Sequence, residues 1–216
     1  MSIVATMRSP QVMKVLDRLY ADAELDDSRR PSVPENATAQ QRADAMAEVY
    51  LPISPQGGDL LYALVRNGKP ETVVEFGTSF GVSTLFLAAA VTDNGTGHVY
   101  GTEMSAAKIA AARSNVDEAG VGEVVTILEG DATQTLAELP GPIGFVLLDG
   151  WKDLYVPVLR GLEPRLAPGA LVVADNTSFA TVAGYLDYVR EPANGYVNAS
   201  FPTGDGMEIS CWTGRS

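Results

Sequence analysis

From Thr72 onward the chain repeats one change of texture five times: a short run rich in β-branched and apolar residues, then a segment with helical spacing. The runs are TVVEF, GHVYGTE, VVTILEG, GFVLLD and ALVVAD. The helical segments include VSTLFLAAAV, SAAKIAAARSNVDEAG, ATQTLAEL and a helix opening near Leu154 with Pro157 in its first turn. Ser105 suits the N-cap of the second of these, and Gly120 suits its stop. Strands that are apolar at nearly every residue are buried on both faces, as in a parallel sheet covered by helices. Joining such strands through helices also makes neighbours parallel, because a crossover returns the chain to the same end of the sheet. The pattern therefore predicts an α/β fold with a doubly wound sheet. After TVAGYLDYVR come YVNASF and MEISCW, joined by PTGDG with no helix between them. These two must form a hairpin, so one C-terminal strand runs antiparallel to an otherwise mostly parallel sheet.

Residues 1–53 read as a helical extension packed on the core, and residues 54–216 as the main domain. QVMKVLDRLYADAEL and AQQRADAMAEVYL both carry apolar residues at helical spacing. DDSRRPSVPENAT, between them, reads as a loop with Pro31 and Pro34 as breakers. A third helix is expected from about Ser54 to Asn67. The extension is a candidate cover for a binding site or a candidate homodimer contact.

Bulk properties narrow the partners. The net charge is −12, which repels nucleic acid and favours a small molecule or a cation. The longest apolar run, residues 80–91, falls short of the roughly 18 residues of a membrane span and reads as a buried helix, so no membrane partner is expected. MSIVATMRSP lacks the basic-then-apolar pattern of a secretion signal, and the expected location is cytoplasmic. Cys211 is the single cysteine and His98 the single histidine. No disulfide within the chain and no Cys/His zinc cluster can form.

Ligands of open α/β sheets bind beyond the carboxyl ends of the strands, so the chemistry is read there. The first strand ends EFGTSFG. This Gly-rich turn is not GxGxxG, and Glu75 would repel a phosphate but suit an ammonium. The stretch GTSFG also matches the GxSxG nucleophile elbow of hydrolases, which would make Ser79 a nucleophile. That triad needs a histidine further along, and no histidine follows His98. The second strand ends in Glu103, where an acid accepts hydrogen bonds from the hydroxyls of a ribose. NAD and S-adenosylmethionine both carry such a ribose. A loop without the pyrophosphate glycines, and with an acid in it, fits the zwitterionic tail of S-adenosylmethionine better. Asp131 ends the third strand, where it could accept from the amine of adenine or simply polarise a short turn. The fourth and fifth strands end in Asp149-Gly150-Trp151-Lys152 and Asp175-Asn176. Two carboxylates and an amide carbonyl form a hard-oxygen set suited to Mg²⁺.

The series VVEFGTSFGVS, GTEM, GDA, LLDGWKDLY and VVADN resembles the metal-dependent O-methyltransferases of the catechol and caffeoyl-CoA type, which are class I S-adenosylmethionine enzymes. The resemblance spans about residues 54–213, and D-x-W-K-D-x-Y followed by ADN is its specific part. It implies a Rossmann-like, seven-stranded fold and methyl transfer from S-adenosyl-L-methionine to a hydroxyl of a small catechol-like phenol. The magnesium ligands would be Asp149, Asp175 and Asn176, and the general base Lys152. The cofactor set would be Glu75, Gly77, Ser79, Ser83, Glu103, Met104, Asp131, Ala132, Asp149 and Trp151. Three departures concern the substrate. Gly150 replaces a larger side chain, Ala199 stands where the family has an acid for the second catechol hydroxyl, and the family's aromatic wall falls at about Val49–Leu51. Two alternatives stay open: a metal-independent S-adenosylmethionine methyltransferase for another small molecule, and a protein that binds the cofactor without turnover.

Overall fold

A computed structural model describes residues 5–34 and 36–215. The first four residues, part of the N-terminal stretch read for a signal, and Glu35, within the predicted loop, lie outside the described residues.

The β–α alternation appears as expected. The strands are β1 (Thr72–Phe76), β2 (His98–Glu103), β3 (Val125–Glu129), β4 (Ile143–Leu148), β5 (Leu166–Asp175), β6 (Tyr196–Phe201) and β7 (Met207–Trp212). They form one sheet of order β3-β2-β1-β4-β5-β7-β6, and the order reverses between β1 and β4. Pairings from β3 across to β5 are parallel, while β7 runs antiparallel to both β5 and β6. The helices are α1 (Pro10–Ala23), α2 (Asp26–Arg29), α3 (Ala39–Ala45), α4 (Pro55–Gly68), α5 (Val82–Asn94), α6 (Ala106–Glu118), α7 (Ala132–Thr135), α8 (Tyr155–Leu162) and α9 (Ala183–Arg190).

Strand side chains alternate between two apolar layers, as a period of two requires. Val73, Phe145, Leu147 and Val173 pack with α1, α4 and α5 on one face. Val74, Val146, Leu148 and Val172 pack with α8 and α9 on the other. Helix α5 is buried continuously from Val82 to Val91, because α1 and α4 cover the side turned away from the sheet. This accounts for its uniformly apolar sequence.

The N-terminal region departs from the sequence reading. The predicted helix over residues 39–51 stops at Ala45, and the predicted loop contains the short helix α2. The cause is Asp26, which is buried and accepts from the backbone N–H groups of Tyr50 and Leu51 at 2.8 and 2.7 Å. Those donors, and the left-handed Leu51 (φ 49°), fix an extended strap from Val49 to Ile53 in place of a continued helix. The side chains of α3 then reach the core from outside. Gln40 donates to the Met104 carbonyl at 3.4 Å, and Arg42 makes a two-pronged pair with Asp153 at 3.0 and 2.9 Å. Removing the Asp26 carboxylate strands two backbone donors of the strap. Asp26→Ala is expected to lose about 2–3 kcal/mol of stability in urea unfolding, the size of charge-assisted hydrogen bonds. An unchanged midpoint would show that the strap is held by packing alone.

Candidate active site

The carboxyl ends of β1, β2, β4 and β5 open into one cleft of about 440 Å³, roofed by Arg30, Ala43, Met46 and Tyr50–Pro52 from the N-terminal region. Its size suits a small-molecule ligand. In the loop after β1, Gly77 has φ +100°, and a Cβ there would meet the Gly150 nitrogen at 2.6 Å. The two loops therefore touch backbone to backbone, with Asp149 N–H donating to the Phe76 carbonyl at 2.9 Å. Ser79, at φ 48°, donates its hydroxyl to the Tyr50 carbonyl at 2.8 Å. The Tyr50 and Phe80 rings stack at 3.8 Å, so the strap and the first loop share a wall.

Gly77, Ser79, Ser83, Glu103, Met104, Ala132, Asp149, Trp151, Lys152, Asp175 and Asn176 all line this cleft. Two predicted residues stand differently. Glu75 is 0% exposed and lies behind the wall, its Oε2 accepting from Thr78 and Thr84 at 2.9 and 2.6 Å. Gly101 on β2 leaves room for this pair, since a Cβ there would collide with the Thr78 hydroxyl. Glu75 Oε1 has no hydrogen-bond partner, although the Ser83 hydroxyl is near enough to favour the charged form. Burial pushes the Glu75 carboxyl above its usual range, and the Ser83, Thr84 and Thr78 hydroxyls only partly oppose this. Asp131 caps α7, its Oδ1 accepting from the Thr133 N–H and hydroxyl at 2.8 Å each. Gly130 and Ala132 line the cleft on either side of it.

The Glu103 carboxylate accepts three backbone N–H groups: Ser79 at 2.9 Å on Oε2, and Met104 and Ser105 at 2.8 and 2.9 Å on Oε1. Parallel register sets Leu148 beside Ala174, so Asp149 and Asp175 emerge next to each other from β4 and β5. Burial pushes the Asp149 carboxyl up to about 7; Lys152 opposes the shift and Asp175 adds to it. Asp175 is also raised by burial, against the Asn176 N–H and Lys152, with Asp205 adding to the rise. Lys152 Nζ lies 3.3 Å from Asp149 Oδ1 and donates to the Tyr155 hydroxyl at 2.7 Å. Tyr155, fully buried, donates in turn to the Asp175 carbonyl at 3.2 Å. One ammonium thus sits beside two carboxylates, Asp175 buried and Asp149 largely so, and a divalent cation would relieve the remaining negative charge. Among the described residues no three His, Cys, Asp or Glu side chains gather as a metal cluster. A cation here would rest on Asp149, Asp175 and the Asn176 amide, completing its shell with water or ligand oxygens.

The departures noted in the sequence have physical counterparts. A Cβ on Gly150 would meet the Phe76 ring at 2.5–2.7 Å, so Phe76 occupies the space of a larger residue. Ala199 is exposed on β6 outside the cleft, whereas Asp205 of the hairpin loop lines it. Tyr50 stacks on Phe80, and both Tyr50 and Leu51 border the cleft. His98 pairs with Thr126 at 2.8 Å, away from the cleft. Sequence reasoning missed Arg42, whose guanidinium covers the Trp151 ring at 4.7 Å, and Lys108, which lines the cleft. Only the spacing of Tyr155, three residues past Lys152, offered a signal for the pair they form.

A seven-stranded sheet with this cleft defines a Rossmann-like methyltransferase fold. The methyltransferase-domain family matches residues 74–177. The probable O-methyltransferase Rv1703c of Mycobacterium tuberculosis is 34% identical over 64% of this chain and 63% of its own length. The chain thus aligns with less than two thirds of that relative. The catechol O-methyltransferase of the same organism is 31% identical over 72% of this chain and 70% of its own length. The O-methyltransferase TomG of Streptomyces achromogenes, involved in tomaymycin synthesis and solved in complex with SAM, shares the fold: TM-score 0.67, 23% identity, 91% of this chain and 99% of that one. The chain belongs to the catechol-type family of class I S-adenosylmethionine O-methyltransferases.

Glu75 gives a pH signature. Its raised folded-state pKa means that folding disfavours the ionised form, so it costs stability as pH rises above the unfolded value of 4.5. Glu75→Gln is expected to raise the Tm at pH 8, by roughly 2–4 °C per kcal/mol recovered, and the gain should fade toward pH 4.5. A Tm difference independent of pH would contradict the assignment.

Proposed function

We propose that this protein transfers a methyl group from S-adenosylmethionine to a hydroxyl oxygen of a small catechol-like phenol, assisted by a divalent cation such as Mg²⁺. The observation that carries the reading is the meeting of Asp149, Asp175 and Lys152 at adjacent strand ends, beside Asn176. The name of the Mycobacterium relative and the SAM held by TomG support the same chemistry and cofactor.

When bound, S-adenosylmethionine supplies a methyl on a sulfonium, and the cation supplies charge that favours an ionised phenol. The protein's own groups do the rest. Gly77 and Ser83 cradle the methionine part, with Glu75 Oε1 as the buried acceptor behind them. Glu103 accepts from the ribose, and Met104, Ala132 and Trp151 border the adenosyl group. Asp149, Asp175 and Asn176 hold the cation. Lys152 Nζ, as the neutral amine left after it releases a proton to solvent, takes the phenol proton, positioned by Tyr155 and Asp149. Leu51 and Phe179 are 44% and 45% exposed at the cleft, apolar walls for an aromatic acceptor.

The test is a methyl-transfer assay on a panel of catechols, with Mg²⁺ and with excess chelator. Turnover should require the metal. Asp175→Ala should abolish metal-stimulated turnover while cofactor affinity survives; full activity in chelator would favour a metal-independent methyltransferase. Lys152→Met keeps the aliphatic stem and is expected to lower kcat by about 10²–10⁴ with cofactor affinity little changed. Near-wild-type kcat at pH 7 would remove Lys152 as the base.

A further inference from the structure

Lys108 lies in the first turn of α6 and is only 6% exposed. Lysines are seldom buried so deeply without a partner. The charges acting on it are Glu103 and Asp26, and among the described residues its amine makes neither an ion pair nor a hydrogen bond. Burial draws its pKa down, while those two acids oppose the shift and favour the ammonium. The ammonium lies 5.6 Å from the Phe80 ring centroid, and Lys108 is part of the cleft lining. A donor with three hydrogens therefore faces the cleft with no acceptor of its own.

The neighbouring acid has the complementary shortage. A carboxylate offers about four lone-pair positions, and three on Glu103 are taken by the N–H groups of Ser79, Met104 and Ser105. One position, on Oε2, remains. A vicinal diol brings two hydroxyls, and Glu103 alone can accept from only one in full. The other hydroxyl oxygen is still an acceptor, and Lys108 is a donor without one.

We propose that Lys108 and Glu103 form a two-sided clamp for a ribose diol, with Glu103 accepting from one hydroxyl and Lys108 donating to the oxygen of the other. The clamp rests on the S-adenosylmethionine reading above and adds to it a cationic residue that fixes the sugar.

The experiment is calorimetric titration of S-adenosylhomocysteine and its 2′-deoxy and 3′-deoxy analogues into the full-length protein, its Lys108→Met variant and its Lys108→Arg variant. The wild type should prefer the diol to at least one deoxy analogue. Lys108→Met should weaken S-adenosylhomocysteine by about 10-fold or more, as for loss of a charged hydrogen bond, and should bring the preference for the diol to within about 2-fold. Wild-type affinity in Lys108→Met overturns the clamp. So does an equal loss for all three ligands, which would make Lys108 only a tie between α6 and the Asp26 strap. Should Lys108→Met fail to fold, Lys108→Arg decides: a moved donor should change the ratio of affinities for the two deoxy analogues, and an unchanged ratio overturns the proposal. A wild type that binds none of the three ligands would sink the cofactor reading itself, and the clamp with it.

Discussion

Two carboxylates forced side by side are the interaction on which the site depends. The parallel register of β4 and β5 leaves Asp149 and Asp175 no choice but to be neighbours, and the sheet and helices around them exclude most water. Burial is the main reason both carboxyls are pushed up; the Asp175 charge adds to the rise at Asp149, and the Asp205 charge to that at Asp175. Lys152 compensates one of them. Its position depends on Tyr155, which is itself wedged edge-on between Phe76 and Tyr185. The same Phe76 ring forbids a side chain at Gly150, so packing beneath the loop and polar geometry above it are set by one aromatic cluster.

The N-terminal region completes the cleft from the opposite side. Its strap is pinned by Asp26, bonded to Ser79 and stacked on Phe80, while Arg42 crosses to Asp153 and Trp151. These contacts join the first helices to both the cofactor end and the Asp149–Lys152 loop. Individually the exposed pairs are weak. Together they tie the roof to the loops around Ser79 and Trp151.

Much of this was legible in the sequence because it is written locally. Continuous apolar runs alternating with helical segments gave β1 to β5, the absence of a helix between YVNASF and MEISCW gave the hairpin, and strand order brought Asp149 near Asp175. What stayed hidden is carried by contacts distant in sequence. The end of α3 at Ala45 is decided by Asp26 reaching Tyr50 and Leu51. Arg42 meets a residue 111 positions away. Lys108 reads as an ordinary solvated lysine until α6 is packed against Phe80. Asp131 shows a different ambiguity: a polar residue at a strand end has a local use, capping α7, that sequence position alone does not separate from ligand binding.

The most direct measurement is a crystal structure of the protein grown with Mn²⁺ and S-adenosylhomocysteine, with the metal located by anomalous scattering. The account predicts one manganese peak bounded by Asp149, Asp175 and Asn176, with the nucleoside in the adjoining cleft and its ribose turned to Glu103. Bound S-adenosylhomocysteine with manganese elsewhere, or with no manganese at these three residues at saturating concentration, would contradict it.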